Sequence, residues 1–200
     1  MGLIPVPPDQ LATVVTTLEM RARPRPRPTP ASPLRLQRWP TPDPAKYRAL
    51  FRRVGAPWLW FSRLAMDDAR LVAAIHDPRT QVHAVLDPAG VEVGLLELTH
   101  PAADWCALDY FGLVPEWTGR GHGGWLMTLA MQLAWRPGVG HVRVNTCTLD
   151  HPRALGFYIA QGFTPISRTV ETFADPRVSG LLPRDAAPQF PFLASRRGAA

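Results

Sequence analysis

The feature that most constrains the fold of this chain is a glycine-rich loop between an apolar strand and an apolar helix. Residues 118–124 read TGRGHGG, with a strand-like segment before them (106–114) and a helical pattern after them (125–135). Glycines let neighbouring backbone N–H groups turn toward one point. The N-terminus of the following helix adds about half a positive charge at the same place. The segment therefore predicts a loop that binds a phosphate group.

Two common phosphate-binding motifs do not account for this loop. Gly119, Gly121 and Gly124 formally satisfy the GxGxxG pattern of dinucleotide-binding domains, but that pattern alone is weak. Such domains also need an acidic residue about 20 residues later for the ribose. No Asp or Glu lies between Trp125 and Leu149, and no Lys follows the glycines as a P-loop requires. A tight turn without a ligand stays an alternative.

Hydrophobic periodicity predicts one sheet with helices on both faces. The predicted strands are 34–39, 81–86, 91–99, 106–114, 141–149 and 164–173. The predicted helices are 44–55, 67–75, 125–135 and 152–161. We therefore expect an α/β (α+β) fold built on a single sheet.

The two ends of the chain differ from this pattern. Residues 21–33 are rich in Arg and Pro, which favours an extended linker. We assign 1–33 as an N-terminal arm, 34–175 as the folded domain and 176–200 as an irregular C-terminal tail. Within the arm, the β-branched segment 12–20 predicts a strand that pairs with an exposed sheet edge, in its own chain or in a second copy. The second alternative is the hypothesis of a homodimer.

Composition disfavours several classes of protein. The formal charge is +6, and Lys46 is the only lysine, but no aromatic residues alternate with the arginines to stack bases. No apolar run approaches the ~20 residues of a membrane span, and the N-terminus lacks a secretory signal pattern. Cys106 and Cys147 show no metal-ligand spacing. We expect a cytoplasmic protein without a metal site, a membrane partner or a nucleic-acid partner.

Two segments resemble motifs of the GNAT N-acetyltransferases. The run Leu113–Leu126 is similar to the family's strand, Pro-Glu step and (Arg/Gln)-x-x-Gly-x-(Gly/Ala) loop, with Thr118 where Arg or Gln is usual. The run Asp150–Phe163 is similar to its second motif, with His151 where Asn is usual. The resemblance covers residues 34–173. It implies the GNAT fold, a mixed and mostly antiparallel sheet of about six to seven strands.

The resemblance implies acetyl-CoA as co-substrate and an unidentified amine as acceptor. Backbone N–H groups of Arg120–Gly124 would bind the diphosphate, and backbone groups near Phe111 and Leu113 would pair with the pantetheine arm. An amide near Leu113 would polarise the thioester carbonyl. The implied coenzyme-binding residues are Phe111, Leu113, Val114, Gly119, Arg120, Gly121, His122, Gly123, Gly124 and His151.

Three residues are candidates for catalysis. Tyr158 matches the tyrosine that the resemblance implies as the acid for the departing sulfur, and core packing is its alternative role. Asp109 and Glu97, on neighbouring strands, are alternative bases, and each is also a candidate structural or substrate-charge partner. Period-2 counting places Asp109 on the same face as Phe111 and Leu113.

Transfer of the acetyl group directly to the amine is favoured over a covalent enzyme intermediate, because no His and acid pair is recognisable near Cys147. The aromatic residues Trp58, Trp60 and Phe61 predict either a wall for a cationic amine or core packing under a loop. The alternative function is a non-catalytic module on the same fold that binds an acyl-CoA or a protein partner.

Overall fold

A single sheet of seven strands organises the computed structural model, which describes residues 2–25 and 27–193. The strands are β1 (Gln10–Met20), β2 (Arg35–Trp39), β3 (Thr80–Leu86), β4 (Glu92–Ala102), β5 (Trp105–Leu113), β6 (His141–Cys147) and β7 (Thr164–Ala174). They lie in the order β2-β3-β4-β5-β6-β1-β7, and β5 and β6 are the one parallel pair among the described strands. The predicted mixed, mostly antiparallel sheet is confirmed.

Among residues 2–25 and 27–193, four α-helices pack on both faces of this sheet, as predicted. They are α1 (Pro44–Gly55), α2 (Asp68–Ile75), α3 (His122–Ala134) and α4 (Ala154–Ala160). A Cβ atom at Gly112 of β5 would lie 2.7 Å from Val54 of α1, whereas the adjacent Phe111 stacks on Phe157 of α4. Because successive strand residues face opposite sides, α1 and α4 lie on opposite faces. None of the helices in the described part of the chain is long and apolar enough to cross a membrane.

Helix α1 shows why these segments fold locally as they do. The side chain of Asp43 accepts a hydrogen bond from the backbone N–H of Lys46 at 2.8 Å, and Pro44 occupies the first turn, where no N–H is needed. Tyr47 and Phe51 then share one helical face and are fully buried. Burial of each such side chain contributes roughly 1.5–3 kcal/mol.

The N-terminal strand β1 lies inside the sheet. Leu18 of β1 is opposite Val144 of β6, and Val14 of β1 is opposite Val170 of β7. The prediction of a strand over 12–20 is confirmed, but its expected place at a sheet edge is wrong. β1 lies between β6 and β7 and pairs with both, so both of its edges are occupied within its own chain.

The two parallel strands β5 and β6 separate part-way along their length. They pair from Trp105 opposite His141 to Leu108 opposite Val144, and the pairing ends there. Beyond this point, β5 continues to Leu113 beside β4 alone. The separation leaves a gap in the middle of the sheet, and α3 begins at the open end of that gap.

The chain after β7 is irregular up to residue 193, and the rest of the predicted tail, 194–200, lies outside the described residues. This segment is anchored by Arg177, whose guanidinium pairs with Asp175 at 2.7 Å and donates a hydrogen bond to the carbonyl of Phe190 at 2.8 Å. Asp175, Arg177 and Leu182 are each 2% exposed. The tail therefore contributes to the packed structure.

Asp175→Ala is expected to lower the free energy of unfolding by about 3 kcal/mol, because it leaves the buried Arg177 charge without its partner. Urea unfolding followed by fluorescence measures the change. Asp77→Ala is the matched control, since Asp77 pairs with Arg79 at the same sequence spacing but on the surface. We expect that control to unfold like the wild type; an equal loss in both variants would contradict the special role of the buried pair.

Candidate active site

A cavity of about 1110 Å³ occupies the gap between β5 and β6. Its lining combines the glycine loop, the open ends of the two strands, the loop after α1, and the start of α4. Seven of the predicted coenzyme-binding residues line it: Phe111, Leu113, Gly119, Gly121, Gly123, Gly124 and His151. The cavity is therefore the place where the predicted residues come together.

The glycine loop ends in a helix start that suits an anion. Gly119 and Gly121 have φ angles of 79° and 87°, in the left-handed region that glycine adopts without strain. Gly121 is the N-cap of α3, and no side chain among the described residues caps the first turn. The N–H of Gly124 donates to the carbonyl of Gly121 at 3.3 Å, which leaves the N–H groups of His122 and Gly123 available to an anion. The guanidinium of Arg153 lies beside Gly119, 3.3 Å from the position that a Cβ atom on Gly119 would occupy.

Three other predicted coenzyme-binding residues lie outside the cavity lining. The backbone N–H of Val114 donates to the carbonyl of Val93 at 2.9 Å, so this amide belongs to the β4–β5 pairing. The guanidinium of Arg120 lies 5.8 Å from the centre of the Trp117 ring. Nδ1 of His122 is 3.0 Å from Oγ of Ser32, and this contact fixes the end of the Arg- and Pro-rich linker over the start of α3.

Tyr158 brings a protonated phenol to the cavity wall. Its ring is 7% exposed and packs against Phe111 and Phe163, with centroids 6.3 and 5.9 Å away. Within residues 2–25 and 27–193 its hydroxyl has no hydrogen-bond partner. Burial, and then the charge of Asp150, raise the pKa of this phenol well above its usual range. Tyr158 therefore holds its proton until a strongly basic group lies next to it.

Asp109 lies in the cavity wall at a β-bulge. Glu97 is opposite Tyr110 and Leu98 is opposite Leu108, so Asp109 is the extra residue in β5. Its carboxylate interacts with Thr99 and with the charge of Arg63. The period-2 count that grouped Asp109 with Phe111 is wrong, since the bulge interrupts the alternation.

The carboxylate of Asp109 is open to the cavity yet surrounded by protein on its other sides. Desolvation in this recess raises its pKa above the usual range for Asp, although Thr99 and Arg63 act in the opposite direction. A carboxylate with a raised pKa is a stronger base than one in water, which is what removal of a proton from an ammonium group requires.

The structure does not bring Glu97 to the cavity. Its side chain is fully buried, where it accepts a hydrogen bond from the hydroxyl of Tyr47 at 2.5 Å and pairs with the guanidinium of Arg63. Burial raises the pKa of Glu97, while Arg63 opposes that shift. The two carboxylate oxygens are thus bound to Tyr47 and Arg63 on the α1 face of the sheet. The geometry therefore favours Asp109 over Glu97 as a base.

Comparison with known proteins identifies the family. A family model described as the acetyltransferase (GNAT) family matches residues 19–163. The chain belongs to the GNAT acetyltransferase family. No curated protein matches the chain.

Solved structures show the same GNAT fold. A GCN5-related N-acetyltransferase from Sphaerobacter thermophilus has 14% identity and a TM-score of 0.60, covering 81% of this chain and 51% of its own. An acetyltransferase from Thermus thermophilus has 21% identity and a TM-score of 0.50, covering 70% of this chain and 96% of its own. A putative GNAT acetyltransferase from Novosphingobium aromaticivorans has 16% identity and a TM-score of 0.53, covering 86% and 69%. The chain spans about half of the first of these proteins.

Within this GNAT domain, two residues that sequence reasoning missed, Asp150 and Arg153, also shape the cavity. Oδ2 of Asp150 accepts hydrogen bonds from Oγ1 of Thr146 at 2.8 Å and from the backbone N–H of Cys147 at 2.9 Å. The indole N–H of Trp60 donates to Oδ1 of the same carboxylate at 3.4 Å. Asp150 thus ties β6 to the loop after α1. Asp150 and Arg153 lie on either side of His151 and Pro152 in the second motif. The sequence feature that could have indicated them is a charged side chain at the start of a helix.

Proposed function

We propose that this chain is an acetyl-CoA-dependent N-acetyltransferase that moves the acetyl group directly to an amine. The observation that carries the proposal is the gap between β5 and β6, with an uncapped helix start at one end and the Tyr158 phenol on its wall. The first feature suits the diphosphate of coenzyme A, and the second suits its departing sulfur. Family membership supports both assignments.

The chain offers the coenzyme two kinds of backbone contact. N–H groups in the first turn of α3, with Arg153 beside them, would bind the diphosphate. The N–H of Val114 points to β4, so the N–H of Leu113 points the other way, into the gap, and that of Phe111 does the same. These two amides would pair with the pantetheine arm and stabilise the oxyanion on the thioester carbon.

The reaction then needs three proton transfers. Asp109 takes a proton from the bound ammonium group, directly or through a water molecule, and the free amine attacks the thioester carbon. A C–N bond forms, the C–S bond breaks, and Tyr158 donates its proton to the leaving thiolate. The acylated nitrogen then loses its second proton, which returns Tyr158 to its phenol form. The products are the N-acetyl amine and coenzyme A with a free thiol.

An assay of free thiol released from acetyl-CoA in the presence of an amine panel tests this function. We expect thiol release that depends on the amine and yields an equal amount of acetylated amine. Binding of coenzyme A without turnover of any amine would instead favour the alternative, a non-catalytic acyl-CoA-binding module. Protection against thermal unfolding by coenzyme A checks that the site is intact in that case.

The rate at saturating substrates is expected to fall as the pH falls through the raised pKa of Asp109. The base works as a carboxylate, so its protonation at low pH removes it, and a raised pKa moves this loss to higher pH than for an ordinary Asp. A pH profile of kcat measures the effect. Asp109→Asn is expected to remove this acidic limb and to lower kcat by about 100-fold; a variant that keeps the limb would assign it to another group.

Cys147→Ala is expected to change kcat by less than about 3-fold, because transfer does not pass through an acetylated cysteine. Burial, and then the charge of Asp150, raise the pKa of the Cys147 thiol, which disfavours the nucleophilic thiolate. Mass spectrometry of the protein mixed with acetyl-CoA alone provides the second measurement. Detection of an acetyl adduct in the wild type that disappears in Cys147→Ala would contradict direct transfer.

A further inference from the structure

The acceptor end of the cavity carries a charge pattern that restricts its ligand. This end lies on the α1 face, across the sheet from α4. Asp109 lies at this end, where its carboxylate interacts with Thr99 and Arg63. Tyr110 lies there too, with its hydroxyl 2.5 Å from the hydroxyl of Ser62. Further along, Phe61 stacks on Phe173 of β7 with centroids 4.7 Å apart, which extends the wall over β1 and β7.

Four charged residues line the whole cavity within the described parts of the chain: Asp109, Asp150, Arg153 and Glu171. The one cation, Arg153, lies beside the glycine loop, at the coenzyme end. Arg63 is held by the buried Glu97 and does not line the cavity. The acceptor end therefore presents carboxylates and aromatic rings, and none of its described residues offers a cation to an anionic group.

From this asymmetry we propose that the acceptor is a cationic primary amine with an apolar or aromatic body and no carboxylate near the amine. This inference rests on the proposed function and names its substrate class. The ammonium group is attracted by Asp109 and Glu171, and the rings of Trp58, Phe61 and Phe173 contact its body. An α-carboxylate would lie beside the same acidic groups, unpaired and partly desolvated.

Matched acceptors test the proposal. We compare phenethylamine with phenylalanine and tryptamine with tryptophan, and add the methyl ester of each amino acid, which keeps the substituent but removes its negative charge. With acetyl-CoA saturating, we expect kcat/KM to be on the order of 100-fold higher for each amine than for its amino acid. The kcat/KM values of the esters are expected to lie within about 10-fold of those of the amines.

A variant places the effect at the acceptor end. Glu171→Gln is expected to raise the KM for the amine by about 3-fold, a modest change because Glu171 is exposed, and to leave the KM for acetyl-CoA unchanged. Asp104→Asn is the control, since it removes an equal charge from the exposed turn between β4 and β5, at the far end of β5. It is expected to change neither KM.

Amino acids that react as well as their amines would overturn the proposal while leaving the acetyltransferase function in place. Esters that react as poorly as the free acids would also overturn it, because size and not charge would then decide. If coenzyme A binds but no amine of the panel reacts or binds in calorimetry, the proposed acceptor class is wrong. Failure to bind coenzyme A at all would be a failure of the proposed function itself.

Discussion

Tyr158→Phe is expected to lower kcat by about 100-fold, the typical contribution of a positioned general acid. The departing thiolate would then have to take its proton from water instead of from the phenol on the cavity wall. The KM for acetyl-CoA should stay the same, since the ring and its contacts with Phe111 and Phe163 are retained. Steady-state kinetics with acetyl-CoA and the best amine of the panel measure both values.

Loss of the Tyr158 hydroxyl alters the chemistry of the site without altering the fold. The Tyr158 hydroxyl makes no hydrogen bond within the described residues, so its removal leaves no buried partner unsatisfied. We therefore expect an unchanged melting temperature and an unchanged affinity for coenzyme A. A Phe variant with wild-type kcat would show that Tyr158 is a packing residue and that another group protonates the sulfur.

Gly121→Val is expected to weaken the binding of coenzyme A by on the order of 100-fold, a loss typical of misplaced binding groups. Gly121 has a φ angle of 87° at the N-cap of α3, and a β-branched side chain strongly disfavours that conformation. The backbone would relax, and the N–H groups around the loop would turn away from the diphosphate. Isothermal titration of coenzyme A into each variant measures the change.

Gly90→Val controls for the cost of backbone strain alone. Gly90 has a φ angle of 86° in the turn between β3 and β4, and at both glycines a Cβ would meet no atom of the described residues within 4 Å. The two variants should therefore lose similar stability, but only Gly121→Val should lose affinity for coenzyme A. Equal affinities in the two variants would show that the loop does not hold the diphosphate.

Local sequence patterns predicted the helices and strands of this fold, because the residues that start and end each segment lie within or next to that segment. Asp43 and Pro44 mark the start of α1, and its buried face recurs at helical spacing. The place of β1 was not predictable in the same way. Which strands lie beside it depends on contacts between distant parts of the chain, and nothing within 12–20 specifies them.

The candidate site divides along the same line. The glycine loop and Tyr158 were predictable because each belongs to a short motif, and the structure brings both to one cavity. The bulge at Asp109 is one extra residue in a strand that still alternates on either side, so the sequence did not show it. Likewise, Glu97 and Asp109 are both carboxylates on neighbouring strands, and the sequence does not distinguish them as bases. The distinction comes from Tyr47 and Arg63, which bind the Glu97 carboxylate in the folded chain.

A crystal structure of the chain with coenzyme A tests the central claim most directly. We expect the diphosphate against the backbone N–H groups at the start of α3, and the pantetheine arm between the separated ends of β5 and β6. The thiol should then lie next to the Tyr158 hydroxyl. Coenzyme A bound elsewhere on the chain, with the gap between β5 and β6 free of it, would contradict the account.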